Sequence, residues 1–454
     1  MQIVWAAQAL LADGWRQDVT VEIDGDLIGA ITPNTPPPPG AHRVGALLPA
    51  PANLHSHAFQ RAMAGLTERR GPDPRDNFWT WRQLMFRFLD QLTPDDVQAI
   101  AAFVQMEMLE AGFAAVGEFH YLHHAPGGVP YPRLGEMSER IAAAAAQSGI
   151  GLTLLPVLYE YGGCDRRPLG PGQIRFGNDP ERFALLLDEA QDAVAALPAD
   201  ACLGIAPHSL RAVSPEGLSA CLDLRQGRPL HMHLAEQIAE VEEVQAAYGA
   251  RPTEWLLANA PVDQGWCLIH CTQMQRAETL ALAATGAVAG LCPITESSLG
   301  DGIFDGVAWT GADGAFGIGS DSNIRITLSE ELRTLDHSQR LRDHSRAALA
   351  TADRSTGRVL LEGAARGGAQ ATARNAGVLE AGRLADLMAL DTAHIDLDGR
   401  TGDTLLDAWI FAADDRAISD VWAAGRHRVR EGRHVDRDAI IAKYRATARR
   451  LQAF

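Results

Sequence analysis

The alternation of short apolar runs with longer helical stretches restricts the fold of this 454-residue chain more than any other feature. It extends from about residue 47 to about residue 375 and is typical of βα units around a parallel sheet. Helices are predicted over residues 94–109, 136–147 and 180–197, and Thr93 has the side chain and position of an N-cap. Eight of the apolar runs are predicted strands: 44–48, 114–119, 152–158, 203–206, 230–234, 267–269, 287–292 and 315–318.

Eight strands, each followed by a helix, most simply close into a (β/α)8 TIM-type barrel of the α/β class. In such a barrel the active site lies at the carboxyl ends of the strands. A doubly wound open sheet is the structural alternative. No Gly-x-Gly-x-x-Gly segment opens a helix in this sequence, and its absence disfavours the open sheet.

The two ends of the chain have a strand-like pattern of their own. Residues 19–23 and 27–31 flank Asp24-Gly25-Asp26, which predicts a β-hairpin. Strand-like stretches return late in the chain, at 376–390, 418–423 and 426–430. We expect the two ends to pair into one small β-sandwich. The predicted organisation is 1–46 as its first part, 47–375 as a metal-dependent barrel, and 376–454 as its second part with a C-terminal helix.

The charge of the chain limits its partners. A formal net charge of −17 argues against nucleic acid, because phosphate binding needs a basic surface. An anionic substrate must then be held by local arginines. Lys443 is the single lysine of the sequence, which excludes an active-site Schiff base, a Walker phosphate loop and a carbamylated lysine that bridges two metals.

The sequence also lacks membrane and export signals. No run of about 18 apolar residues could cross a bilayer, and no basic segment followed by an apolar core opens the chain. We therefore expect a soluble, cytoplasmic protein without a membrane partner. The six cysteines form no Cys-x-x-Cys pair, and we expect them to be reduced and mostly structural.

Histidines and an aspartate fall at the predicted strand exits. His55 and His57 are separated by one residue, so both project from the same side of a strand and suit a metal. His233 and His270 end two later strands, and Asp321 follows the last one. Each of them alone could be a core or turn residue. Together, on one rim of one barrel, they predict a site for zinc or another divalent first-row metal with one position open for water.

The absence of a nearby lysine favours one metal ion over a bridged pair, although a glutamate or cysteine bridge stays open. Zinc would lower the pKa of a bound water to about 7. Glu236, three residues after His233, could move a proton beside that water. It could equally be the first-turn acid of a helix over 236–248. His231 is predicted to be structural.

A second group of residues could contact a substrate: Gln60, Arg82, Tyr121, His208 and Arg211. Arg82 lies among tryptophans and could either stack on them at the surface or clamp a carboxylate. Arg211 follows the fourth predicted strand. Two arginines at such a rim could neutralise two carboxylates through paired hydrogen bonds.

Taken together, these segments resemble the deaminase branch of the amidohydrolase superfamily over nearly the whole chain. The resemblance rests on His55-Ser56-His57, the His-x-x-Glu pair at His233 and Glu236, His270, Asp321, and a trailing Gly-Arg-Leu-Ala-Asp-Leu segment. Within that branch, residues 55–66, 78–82, 207–211 and 292–302 are similar to the formimidoylglutamate deiminase family. Ser297-Ser298 departs from the Ala-Asn expected there, and Ala50 and Ala52 stand where related enzymes often have glycine.

The resemblance implies a (β/α)8 barrel with a β-sandwich from both chain ends, one zinc ion and a homodimer. It implies His55, His57, His233 and Asp321 as metal ligands, and Glu236 and His270, with Asp321, in proton transfer. The implied substrate contacts are Gln60, Arg82, Tyr121, His208 and Arg211. The implied reaction is hydrolytic deimination of the dicarboxylate N-formimino-L-glutamate to N-formyl-L-glutamate and ammonia, a step of histidine breakdown.

Two other functions are compatible with parts of this pattern. A deaminase on the same scaffold could act on a purine, pterin or S-adenosylhomocysteine-like compound, for which stacking surfaces matter more than two arginines. A catalytically silent binding protein could keep the barrel, but all predicted ligands are present.

Overall fold

The computed structural model describes residues 1–68 and 78–451, and in the second range it describes side chains from residue 81 onward. The predicted site segment 78–82 lies partly outside the described side chains. The chain begins with four strands: β1 (Gln2–Leu11), β2 (Gly14–Asp24), β3 (Leu27–Thr32) and β4 (His42–Pro49). The predicted hairpin is confirmed, since β2 and β3 pair antiparallel with Asp24 opposite Leu27.

Parallel strands form the centre of the molecule. They are β5 (Ala52–Ser56), β6 (Ala115–His120), β7 (Gly151–Leu158), β8 (Cys202–Leu203), β9 (Ala206–Pro207), β10 (Leu230–Leu234), β11 (Trp266–His270), β12 (Val288–Leu291) and β13 (Phe316–Ile318). The short strands β8 and β9 both pair with β7 and together take the place of the predicted strand 203–206.

Hydrogen bonding arranges these strands as two arcs, β5-β6-β7-β8 and β10-β11-β12-β13. Parallel bridges join the arcs at both ends, between Ile205 and Leu230 and between Ser56 and Asp321. The eight positions therefore close into a ring, which confirms the predicted barrel and excludes the open sheet.

One predicted barrel strand was wrong. The apolar run 44–48 belongs to β4, which pairs with β1 in the terminal sheet, and the barrel begins with β5. The chain passes directly from one sheet to the other across Ala50 and Pro51. A short apolar run that is buried in either sheet has the same composition, so the pattern alone did not separate the two.

The helices are α1 (Phe78–Leu89), α2 (Pro94–Glu110), α3 (Glu136–Ser148), α4 (Pro180–Ala195), α5 (Pro215–Arg225), α6 (Ile238–Tyr248), α7 (Pro252–Asn259), α8 (Arg276–Ala283), α9 (Pro293–Leu299), α10 (Gly306–Gly311), α11 (Leu328–Asp343), α12 (Thr356–Ala371), α13 (Asp403–Phe411) and α14 (Arg437–Leu451). The predicted start of α2 is confirmed. Thr93 caps it, with Asp96 Oδ2 accepting from the Thr93 backbone N–H at 2.9 Å.

The last strands of the chain are β14 (Leu387–Leu390), β15 (Ile418–Ala423), β16 (Arg426–Arg430) and β17 (Arg433–His434). They join the first four in an eight-stranded sheet of order β17-β16-β15-β14-β4-β1-β2-β3. The pairing of the two chain ends is therefore confirmed. The predicted strand 376–390 was too long, because only its last four residues form β14. The predicted domain limits stay predictions.

A buried ion-pair network fastens the terminal sheet to the barrel. Arg374 follows α12 and contacts Asp200 at 3.2 Å and Asp386 at 2.9 Å. Arg426 of β16 contacts the same Asp200 at 2.8 Å. The Arg374 side chain is 1% exposed, so its charge depends on these partners.

Within residues 1–68 and 78–451, no helix is both long enough and apolar enough to span a membrane.

Candidate metal centre and active site

The predicted rim residues converge at the carboxyl ends of the barrel strands. His55 lies in β5 and His57 directly after it, His233 lies in β10, and His270 ends β11. Asp321 follows β13, beside β5 across the bridge that closes the ring. All five are buried.

Their ligand atoms form one compact cluster. One nitrogen each of His55, His57 and His233 lie within 4.8 Å of one another. Asp321 Oδ1 lies 3.4 Å from His55 Nε2 and 3.2 Å from His57 Nε2. A tetrahedral ion with bonds near 2.0–2.1 Å sets its ligand atoms roughly 3.3 Å apart, so these separations have the right size for one metal ion.

Backbone carbonyls fix the orientation of two of the imidazoles. His57 Nδ1 donates to the Phe119 carbonyl at 2.9 Å, and His233 Nδ1 donates to the His208 carbonyl at 3.0 Å. The proton is thereby assigned to Nδ1, which leaves the Nε2 lone pair directed at the cluster. Hydrogen bonds of this kind commonly orient histidine ligands in metal sites.

The state of His55 supports the same conclusion. Neither ring nitrogen of this buried histidine has a hydrogen-bond partner among the described residues, which is costly unless another group satisfies them. Burial lowers the pKa of His55 to about 3, so the ring is neutral as metal binding requires. Burial alone would raise the pKa of Asp321, but the adjacent His55 and His57 rings hold it well below its usual range. These residues therefore fit a divalent cation.

The backbone of residues 319–321 packs closely against His55 and so brings Asp321 to the cluster. Asp321 has φ of +44°, a left-handed conformation that is uncommon outside glycine, and it exchanges backbone hydrogen bonds with His55 and His57. Two residues earlier, a Cβ on Gly319 would lie 2.7 Å from the His55 Cβ. Only glycine permits this approach, so Gly319 sets the distance between β5 and the segment that carries Asp321.

Glu236 and His270 stand next to the cluster. Glu236 precedes α6, which begins at Ile238, so it is not a first-turn acid of that helix. Burial raises its pKa. His270 Nδ1 lies 3.3 Å from Glu296 Oε1, and its Nε2 lies 3.9 Å from Asp321 Oδ2. Burial disfavours the charged ring, but Glu296, Glu236 and Asp321 outweigh it and raise the pKa of His270 to about 10.

His231 lies two residues before His233 on the same face of β10, nearer the amino end of the strand. Its ring contacts the carbonyl of Ala371, the last residue of α12, at 2.8 Å, and it is not part of the ligand cluster at the rim. This contact agrees with the structural interpretation of His231.

A single cavity joins the cluster to the predicted substrate residues. Its lining includes His57, His233, Glu236, His270 and Asp321, together with Gln60, Arg82, Tyr121, His208 and Arg211. The predicted second group is therefore brought together completely. The two guanidinium groups thus line the same cavity as the carboxylates and imidazoles at the strand ends.

Polar contacts hold the substrate-facing side chains. Gln60 Nε2 donates to the Tyr121 hydroxyl at 2.8 Å, while no described group bonds the buried Gln60 Oε1. His208 Nδ1 lies 2.9 Å from the Ser209 hydroxyl. Such fixed, partly unsatisfied polar groups in a buried cavity are typical of ligand sites.

Two residues near the cavity were missed in the sequence. Tyr159 directly follows β7 and accepts hydrogen bonds from Arg82 Nη2 at 2.5 Å and Gln173 Nε2 at 2.9 Å. Its place after a barrel strand was the available signal. Glu296, at the start of α9, holds His270 and also accepts from the Cys292 backbone N–H at 2.8 Å. No local pattern distinguishes it from an ordinary first-turn glutamate.

Comparisons with known proteins agree with this geometry. Residues 46–428 match the amidohydrolase family, and residues 1–45 match "Formimidoylglutamate deiminase HutF, N-terminal domain". The formimidoylglutamate deiminase of Pseudomonas aeruginosa is 47% identical over 438 residues, which cover 96% of each chain. A 5-methylthioadenosine/S-adenosylhomocysteine deaminase of Natronomonas pharaonis is 26% identical over 77% of this chain and 74% of its own.

Solved structures give the same fold. An amidohydrolase from Brucella melitensis superposes with a TM-score of 0.96 at 45% identity, over the whole of both chains. An adenosine deaminase from Xanthomonas campestris with bound zinc has a TM-score of 0.83 at 22% identity, with 100% of this chain and 99% of that chain covered. The latter likeness concerns the fold alone. By the long match and the full-length relative, this chain belongs to the amidohydrolase family and, within it, to the formimidoylglutamate deiminases.

Proposed function

We propose that this protein hydrolyses N-formimino-L-glutamate to N-formyl-L-glutamate and ammonia. The observation that carries the proposal is the set of charged groups that line one cavity. Arg82 and Arg211 line the same space as Glu236, His270 and Asp321. A small dicarboxylate with a cationic formimino group has the complementary distribution of charge.

The two arginines would bind the carboxylates of the substrate. Arg211 is buried, and Arg82 is oriented by Tyr159. Guanidinium groups pair with carboxylates through two parallel hydrogen bonds, and such pairs gain strength where water is excluded. Binding the two carboxylates would also fix the formimino carbon at one position relative to the strand ends.

The proposed metal ligands are His55, His57, His233 and Asp321, and the proposed ion is zinc. Three neutral imidazoles and one carboxylate suit zinc or another divalent first-row ion. A bound ion would supply a water molecule of lowered pKa as nucleophile near neutral pH.

Glu236 and His270 would manage the protons of the reaction. Water adds to the formimino carbon, the C–N bond to the terminal nitrogen breaks, and that nitrogen leaves as ammonia with a proton it has gained. Glu236 is the proposed carrier of this proton, because burial raises its pKa and so favours the protonated form that can donate to the leaving nitrogen. His270, held by Glu296, would orient the attacking water together with Asp321.

A coupled assay tests the proposal. Purified protein is analysed for bound metal, and ammonia release is measured with N-formimino-L-glutamate, with formamidine, and with adenosine, S-adenosylhomocysteine and a pterin. We expect turnover with the dicarboxylate at a kcat/KM at least about 100-fold above that with formamidine, because formamidine cannot use the two arginines. Faster release from adenosine or S-adenosylhomocysteine would establish the alternative deaminase, and no release from any compound would support a silent binding protein.

Three further properties belong to the same proposal. The family resemblance supports a homodimer, and the role of the reaction in amino-acid breakdown supports a cytoplasmic location. The organisation into residues 1–46, 47–375 and 376–454 is supported by the return of the chain to the terminal sheet after α12.

A further inference from the structure

A second cluster of metal-ligating side chains lies on the terminal sheet, outside the barrel. His42 Nε2 and His427 Nε2 approach the same carboxylate oxygen, Asp420 Oδ1, at 2.9 Å and 2.8 Å. All three ligand atoms lie within 4.8 Å of one another. The cluster takes no part in the proposed hydrolysis.

Strand register brings these residues together from both ends of the chain. Asp420 and Trp422 lie two residues apart in β15 and so share one face, and His427 of β16 is opposite Trp422. His42 begins β4, four residues before Ala46, which pairs with the last residue of β14. His42 therefore lies beyond the paired part of β4 and β14, and its ring reaches Asp420 of β15.

Trp422 supports both imidazoles. The His427 ring stacks on it at 4.1 Å with 17° between the planes, and the His42 ring meets it edge-on at 5.6 Å. Trp422 itself is buried. The rings are therefore held in place before any ligand arrives, which lowers the cost of organising a site.

One side of the cluster is open. The side chains of Asp420 and His427 are each 8% exposed, whereas that of His42 is 43% exposed. The cluster borders a surface groove that is also lined by the acidic Asp391 and Glu431 and by the arginines Arg43, Arg416 and Arg430. Two nitrogens and one carboxylate oxygen thus lie beside a space that solvent can enter, whose lining has three carboxylates and three arginines.

We propose that His42, Asp420 and His427 form a second binding site for a divalent first-row transition-metal ion, with water completing its coordination from the groove. Two histidines and one carboxylate with open positions are an established ligand set for such ions. The present separations are those of hydrogen bonds. An ion would widen them by roughly half an ångström, given metal–ligand bonds near 2.0–2.1 Å.

The ion would join β4, which precedes the barrel, to β15 and β16, which follow it. Since the unfolded chain does not hold these residues together, binding would stabilise the folded terminal sheet. The proposal does not depend on the substrate of the barrel site.

A determination of the number of metal ions bound per chain of the intact protein tests the proposed second site. Protein with its catalytic site filled is equilibrated with increasing free Zn²⁺, and in parallel with Co²⁺, and bound ions per chain are counted after buffer exchange. His42→Ala removes one ligand. Asp420→Asn keeps an oxygen that can accept hydrogen bonds from the histidines but is a poor ligand, so it separates a metal site from a hydrogen-bond network. His394→Ala, at a histidine of the terminal region outside the cluster, is the control.

We expect the unaltered protein and His394→Ala to bind one ion more per chain than His42→Ala and Asp420→Asn do. We expect all four proteins to retain the first ion and ammonia release. The added ion should also raise the thermal midpoint of the first two proteins only. Equal ion counts in all four, no second ion at micromolar free Zn²⁺, or a midpoint that rises equally in Asp420→Asn would each overturn the proposal.

Discussion

The Tyr159 hydroxyl lies 2.5 Å from Nη2 of Arg82, and both residues line the cavity of the candidate active site. Burial alone would raise the pKa of Tyr159, but the positive charges of Arg82 and Arg211 outweigh it and lower the pKa. The Tyr159 hydroxyl therefore interacts electrostatically with both guanidinium groups. It also accepts a hydrogen bond from Arg82, which orients that side chain.

Tyr159→Phe should raise the KM for N-formimino-L-glutamate about 10-fold or more with little change in kcat, because a hydrogen bond to a charged group contributes about 1.5–3 kcal/mol. Steady-state kinetics and metal content measure the effect. Tyr161→Phe, two residues further and outside the cavity lining, is the matched control. An unchanged KM in Tyr159→Phe would show that Arg82 does not need this partner.

Arg211→Ala should weaken substrate saturation far more than it lowers metal content. Truncating one partner of a buried charge pair costs about 2–5 kcal/mol, so kcat/KM should fall by roughly 30-fold or more. Arg225→Ala, which removes a cation from an ion pair with the exposed Asp263, should leave kinetics unchanged. Equal loss of metal and of saturation in Arg211→Ala would indicate a structural role for this arginine.

His233→Asn and His231→Asn test two histidines on the same face of β10, one at the rim and one two residues further from it. The first should lose bound metal and ammonia release together, because His233 directs Nε2 at the cluster. The second should keep both and lower only the thermal midpoint, because His231 contacts the Ala371 carbonyl away from the cluster. Metal analysis distinguishes them, and chelation of the unaltered protein should reproduce the His233→Asn result reversibly. Metal loss in both variants would contradict a purely structural role for His231.

Glu236→Gln should lower kcat by about 100-fold to 10,000-fold, the usual contribution of a general acid or base, and should retain substrate binding and metal. Single-turnover kinetics with metal analysis measures this. Glu242→Gln on the exposed face of α6 is the control. Full activity in Glu236→Gln would assign the proton to another group.

Arg374→Ala should destabilise the junction of barrel and terminal sheet. It leaves Asp386 without its guanidinium partner, and breaking a buried pair costs about 3–5 kcal/mol in the free energy of unfolding. Denaturant titration followed by circular dichroism measures the change. Arg383→Ala breaks an exposed pair with Glu380 and should cost at most about 1 kcal/mol.

Local patterns were sufficient for much of the site. The spacing of His55 and His57, the alternation around His233 and the position of Asp321 after an apolar run are all short-range features. Because all strands of a parallel barrel end on the same rim, residues that the sequence places at strand ends are expected to be close together in space. The same reasoning would have found Tyr159 had every strand-end residue been considered.

The sequence by itself determined the strand ends, the ligand types and the pairing tendency of the two chain ends, because hydrophobic periodicity and side-chain chemistry act over a few residues. Tertiary structure decided that residues 44–48 join the terminal sheet, that Glu296 holds His270, and that His42 meets Asp420 across 378 positions of the chain. These contacts depend on which strands become neighbours and where each strand ends. That choice minimises the free energy of the whole packed molecule and leaves no mark on any single segment.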